Sequence, residues 1–136
     1  MINIEIIPCL NDNYSYLLCE KNTNTVAIVD PSNFNTCDKI IKQKYNKLDY
    51  ILNTHHHFDH VGGNQQLKEK YKSKVLGSEI DKDRIPYIDI SLKEKQNFKI
   101  GSASLEVILI PGHTKGHIAF YFKKEKIVFS GDTLFS

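Results

Sequence analysis

Apolar and polar residues alternate over positions 2–7 and Pro8 ends the run, so the chain opens with a β-strand. After turn-forming residues at 10–13, Tyr14–Glu20 reads as a second strand, and residues 26–29 read as a short buried third ending at Asp30 and Pro31. A three-stranded antiparallel meander is the economical arrangement. Residues 32–46 then place Cys37, Ile40, Ile41 and Tyr45 at helical spacing, with Ser32, Asn33 and Asn35 available as caps. A strand over 48–53 leads into a polar loop. A helix over 63–72 follows, with Leu67 and Tyr71 four apart, and then a short strand at 74–76. Residues 77–91, broken by Pro86, read as irregular. Four further β segments are expected at 96–100, 105–110, 118–122 and 126–129. Helices between strands put the chain in the α/β class.

The 136 residues are enough for one domain with a real core. A net charge of +2, with lysines spread along the chain, argues against a nucleic-acid or anionic-membrane partner. The densest basic run, 68–74, reads as a solvated helix face. No basic, apolar leader opens the chain, and no apolar run reaches membrane-spanning length. Cys9, Cys19 and Cys37 are odd in number and lack C-x-x-C spacing, which fits reduced thiols in a cytoplasmic compartment.

The histidines change the picture. All six fall in two places: four in Thr54–Asn64 (THHHFDHVGGN) and two in PGHTKGH, at His113 and His117. Neutral imidazoles gathered in this way suit a borderline-soft metal ion. In an extended segment His55 and His57 point one way and His56 the other. Asp59 and His60 follow where the chain turns toward Gly62 and Gly63. Each candidate ligand group also trails an apolar strand: YILNT leads to His55, LEVILIPG to His113 and IVFSG to Asp132. Sites in α/β proteins form outside the carboxyl ends of strands, so three distant segments converge on one sheet edge. His55, His57 and His113 would supply three nitrogens to one ion. Asp59 and His60 would begin a second site, and Asp132 could bridge the two. Two divalent ions sharing a water lower its pKa towards neutrality and polarise a carbonyl or phosphoryl oxygen, which is hydrolytic equipment. The donor set points to zinc, with iron or manganese accommodated according to supply.

HHHFDH resembles the H-x-H-x-D-H signature of the metallo-β-lactamase fold. The sets PCLNDNY (8–14), THHHFDHVGGN (54–64), PGHTKGH (111–117) and SGDTLF (130–135), in that order, resemble glyoxalase II, the hydroxyacylglutathione hydrolases. The resemblance implies the N-terminal part of an αββα sandwich and a dinuclear zinc site. It also implies hydrolysis of the glutathione thioester S-lactoylglutathione to lactate and glutathione, with metal-bound hydroxide as nucleophile and Asp59 holding it or the second ion. His55, His57 and His113 match the ligands of the first metal, Asp59 and His60 those of the second, and Asp132 the bridge. His56 and His117 are read as residues behind the ligands or in the packing. Asp30 either holds the histidine loop or caps the first helix. Thr54 and Thr114 carry hydroxyls that could orient imidazoles.

Members of that family continue beyond GDTLF. The resemblance therefore implies that residues 1–136 are an incomplete domain. The last histidine of the second metal site, the glutathione-binding groups and a helical C-terminal region would lie elsewhere. Self-association, or a complementing chain, is expected for the uncovered face. Three other readings compete with the thioesterase: another hydrolase of the same fold, a persulfide dioxygenase-like enzyme, and a remnant that binds metal without turnover.

Overall fold

The computed structural model describes residues 1–9, 13–110, 115–131 and the backbone of 134–135. Strands β1 (Ile2–Pro8), β2 (Tyr14–Glu20) and β3 (Thr25–Val29) form the antiparallel meander. Three parallel strands extend it: β4 (Tyr50–Leu52), β5 (Lys74–Ser78) and β6 (Ile90–Leu92), giving the order β1-β2-β3-β4-β5-β6. Helix α1 (Phe34–Lys44) crosses from β3 to β4. Its cap is Asn33, whose side chain accepts the Thr36 amide at 2.8 Å. The short α2 (Phe58–Val61) and α3 (Asn64–Tyr71) cross from β4 to β5. A second sheet is antiparallel throughout, in the order β11-β10-β9-β8-β7. It comprises β7 (Asn97–Ile100), β8 (Ala103–Leu109), β9 (Ile118–Phe122), β10 (Ile127–Phe129) and β11 (Leu134–Phe135).

The inner strands of the first sheet, β2 to β5, are buried on both faces, which is why they read as largely apolar runs. Period-two alternation divides each strand between two cores. Leu18, Ala27, Val29, Leu52 and Leu76 face the second sheet and meet Leu105, Val107, Phe120, Phe122 and Phe129. Leu17, Val26, Ile28, Ile51 and Val75 face the helices and meet Cys37, Ile41 and Leu67. The layers are therefore helix, sheet, sheet. Among the described residues no helix covers the outer face of the second sheet, where Ser104 and Ile108 are exposed.

Residues 77–91 differ from the expectation. β5 runs on to Ser78, a 3₁₀ turn covers Glu79–Asp81, and β6 adds a parallel edge strand. Pro86 does break this stretch, but parallel pairing of β5 with β6 supplies order that local propensity does not. The helix over 63–72 is likewise preceded by the extra turn α2.

At the end of β2, Glu20 is enclosed and accepts the amides of Asn22 (2.7 Å), Thr23 (3.2 Å) and Ser102 (2.9 Å) together with the Thr23 hydroxyl (2.6 Å). Ser102 belongs to the β7–β8 turn, so this carboxylate ties the two sheets together. The Ser102 amide, then the Thr23 hydroxyl, hold its pKa down at about 2. Gly101, at φ +62, keeps the turn close: a Cβ there would lie 2.4 Å from the Glu20 Oε1. The opposite end of the first sheet carries the chemistry. β3, β4 and β5 run parallel, so their carboxyl ends deliver Asp30, the histidine loop and Asp81 to one edge.

Candidate metal centre

Residue 30 leaves β3 in a left-handed conformation, φ 51, which Asp and Asn tolerate better than most residues. The turn aims a fully buried carboxylate at the next crossover. Asp30 Oδ1 accepts the Thr54 amide at 2.8 Å, and Oδ2 accepts the Thr54 hydroxyl at 2.6 Å. The same Oδ2 lies 3.0 Å from His60 Nδ1. Thr54 Oγ1 in turn lies 3.0 Å from His55 Nδ1. Thr54 has one hydroxyl proton and gives it to Asp30, so its oxygen accepts from His55 Nδ1–H. His60 also donates through Nδ1–H. Both imidazoles are thereby fixed in the tautomer that leaves the lone pair on Nε2. Asp30 holds the histidine loop, and Asn33, not Asp30, caps α1.

His55 is the hub of the cluster. Its ring centroid lies 4.1 Å from that of His60, 4.7 Å from His57 and 4.6 Å from His117, the last in a stacked arrangement. His55 and His60 are buried, and His57 is partly open. One ligand atom each from Asp30, His55 and His60 falls within 4.8 Å of the others. Asp59 is half-exposed. Its Oδ2 accepts from Asn13 Nδ2 at 3.0 Å and lies 3.8 Å from His60 Nε2. His56 points away from the cluster, as the alternation requires, and its Nδ1 lies 3.2 Å from Asp81 Oδ2. His113, Thr114 and Asp132 lie outside the described residues.

The loop is closed by groups that sequence reasoning passed over. Asn53, at the end of β4, donates to the His60 carbonyl (3.1 Å) and to Asn64 Oδ1 (3.3 Å). Asn64, opening α3, donates back to Asn53 Oδ1 at 2.7 Å and to the Pro86 carbonyl at 3.2 Å. This buried amide pair clamps the loop at both its ends. Gly62 permits the approach to the Asp30 turn, since a Cβ there would lie 2.2 Å from the Ser32 carbonyl oxygen. Asp81, fully buried, holds His56 and accepts from Arg84 Nη1 at 3.3 Å. Its position past a parallel strand was the available signal, hidden because 77–91 lacked a legible strand. The second sheet joins at Ile118, whose amide donates to the Thr54 carbonyl at 2.8 Å.

The donor set fits a divalent metal: clustered imidazoles with their Nδ1 protons turned back onto a buried carboxylate and a hydroxyl, and a half-open carboxylate at the rim. Residues 10–136 match the Metallo-beta-lactamase superfamily. The chain is 51% identical over 135 residues to a hydroxyacylglutathione hydrolase of Pelagibacter ubique, covering 99% of this chain and 56% of that protein. It is 45% identical over 136 residues to a protein of the same name from Methylococcus capsulatus, covering 100% of this chain and 53% of that one. The chain thus spans about half the length of the curated relatives it matches. Among solved structures, the B3 metallo-beta-lactamase BLEG-1 superposes with a TM-score of 0.83 at 24% identity, over 98% of this chain and 74% of that one. ETHE1 from Myxococcus xanthus superposes with a TM-score of 0.82 at 22% identity, over 98% of this chain and 59% of that one. At those identities the likeness is one of fold.

Proposed function

The chain belongs to the metallo-β-lactamase superfamily, and on that premise we propose that it carries the metal-holding part of a thioester hydrolase of the glyoxalase II type. The observation that carries the proposal is the tethering of His55 and His60 by Nδ1 to Thr54 and Asp30, which turns both Nε2 lone pairs to ligand duty. The relatives named hydroxyacylglutathione hydrolase support S-lactoylglutathione as substrate. His55, His57 and His113, with Asp132, would hold a first zinc-like ion, and Asp59 and His60 would begin a second site. Asp30 would remain outside the coordination sphere, because both its oxygens are already engaged by three donors in a dry setting. A zinc ion bound there would supply Lewis acidity and lower the pKa of a water it coordinates.

The protein's own residues have separable tasks. Asp30 and Thr54 fix ring orientation and tautomer. Asp59, half-exposed and steadied by Asn13, would accept a proton or a hydrogen bond at the open rim of the cluster. The test is zinc analysis followed by assays of the zinc-loaded chain on S-lactoylglutathione, a β-lactam and a phosphodiester. We expect about one tightly held zinc per chain and thioester cleavage above the other two activities. A chain that retains no zinc, or that cleaves the lactam in preference to the thioester, overturns the proposal.

A further inference from the structure

After β5, the 3₁₀ turn Glu79–Asp81 carries the Asp81 carboxylate into a fully enclosed position. An aspartate is rarely buried to that degree unless its oxygens are engaged. The amides of Arg84 and Ile85 donate to the Asp81 carbonyl at 2.9 and 3.0 Å, which fixes its backbone. Its side chain then meets three parts of the chain. His56 Nδ1 lies 3.2 Å from Oδ2, and because a carboxylate only accepts, the imidazole donates there. Arg84 Nη1 donates to Oδ1 at 3.3 Å from a side chain that is itself mostly exposed. The third neighbour is Gly116. A Cβ at that position would lie 2.3 Å from Asp81 Cγ and 2.5 Å from each carboxylate oxygen. Gly116 does not adopt the left-handed backbone of Gly101 and Gly131, so glycine answers here to space and not to conformation.

We propose that Asp81 is a positioning residue for the metal centre, setting the histidine loop against segment 115–117, and that Gly116 leaves the room this carboxylate fills. The inference rests on the metal reading given above. His56 stands between His55 and His57 with its ring turned the other way, so anchoring that ring anchors the backbone from which its two neighbours project. Segment 115–117 follows His113, the third nitrogen donor proposed for the first ion. Main-chain bonds hold this segment at its base. The Ile118 amide donates to the Thr54 carbonyl at 2.8 Å, and the Ile110 amide to the His117 carbonyl at 2.8 Å. Asp81 adds a contact at residue 116, on the side of the loop where His56 is tied. The role needs the shape of the side chain and one acceptor for His56, both of which Asn retains.

The test is a double-substitution cycle on the full chain, read by zinc affinity in chelator competition and by the visible spectrum of the cobalt-loaded chain. Asp81→Ala should lower zinc affinity about 10–100-fold, the range for losing a group that orients a ligand. Gly116→Ala should also lower it about tenfold or more, because the new carbon and the carboxylate cannot share one space. Added to Asp81→Ala, which removes Cγ and both oxygens, Gly116→Ala should change affinity by less than about twofold. Asp81→Asn should stay within about threefold of the parent and keep its cobalt spectrum.

Equal losses from Gly116→Ala in both backgrounds overturn the proposal, as does an Asp81→Asn chain as weak as Asp81→Ala. If Asp81→Ala does not fold, metal-free Gly116→Ala decides by its long-range ¹H–¹⁵N spectrum: a displaced His56 Nδ1 resonance supports the contact, and an unmoved one refutes it. A parent that holds no zinc overturns the metal reading and this inference with it. A parent that holds zinc no more tightly than Asp81→Ala overturns this inference alone.

Discussion

Replacing Asp30 with Asn isolates the charge that orients the cluster. The left-handed backbone at φ 51 suits Asn as well as Asp, so the turn out of β3 should survive. The retained Oδ1 still accepts the Thr54 amide, which Asp30 binds at 2.8 Å. At Oδ2 an NH₂ donor would face the Thr54 hydroxyl and His60 Nδ1, both of which now donate. Two hydrogen bonds to a charged acceptor, worth about 1.5–3 kcal/mol each, become neutral bonds of about 0.5–1.5 kcal/mol that also require both partners to turn. The metal-free chain should therefore lose about 2–3 kcal/mol. To accept from the new amide, His60 must move its proton to Nε2, the atom needed for coordination. Zinc affinity should fall about 10–100-fold, as when the carboxylate behind a ligating histidine is lost. Chelator competition measures the affinity, and long-range ¹H–¹⁵N spectra of the imidazoles report the tautomers. Zinc affinity within about twofold of the parent, with His60 still protonated at Nδ1, would refute the tautomer argument.

Asp59→Ala should remove most thioester turnover while leaving the melting temperature nearly unchanged, because the side chain is half-exposed and loses one hydrogen bond, to Asn13; full activity in the variant would sink the assignment. Phe120→Ala, at a fully buried position between the sheets, should cost about 3–5 kcal/mol in urea unfolding, and a loss below about 1 kcal/mol would mean that the two sheets are not packed there. Glu20→Gln should be less stable than the parent at neutral pH. The folded state holds Glu20 at about 2 against 4.5 for the free group, so its contribution is complete above 4.5 and fades as pH falls towards 2. Urea midpoints of parent and variant should converge across that window, and a gap independent of pH would contradict the clamp.

Much of the architecture was legible because periodicity and burial agree. Tyr14–Glu20 and Ile118–Phe122 match the expected bounds, and the helix signal of Cys37, Ile40 and Ile41 lies within Phe34–Lys44. Short strands were harder. β6 has three residues, and its hydrogen bonds depend on β5, far from it in local pattern. No window centred on residues 90–92 contains the partner that makes them a strand.

For the site, the sequence by itself determined the inventory of candidate groups. Six histidines in two short runs, each behind an apolar strand, mark candidate imidazole ligands. Alternation also separated His56 from its neighbours, because side-chain direction in an extended segment is a local property. What only the tertiary structure decided is which polar groups stand behind the rings. Asp30 precedes His60 by thirty residues and Asp81 follows His56 by twenty-five. Each pair meets because parallel β3, β4 and β5 place their carboxyl ends side by side. The choice left open for Asp30, between helix cap and loop anchor, was decided the same way. Both ends of such a bond are ordinary polar residues in sequence, and only the crossover helices bring them within 3 Å or so of each other.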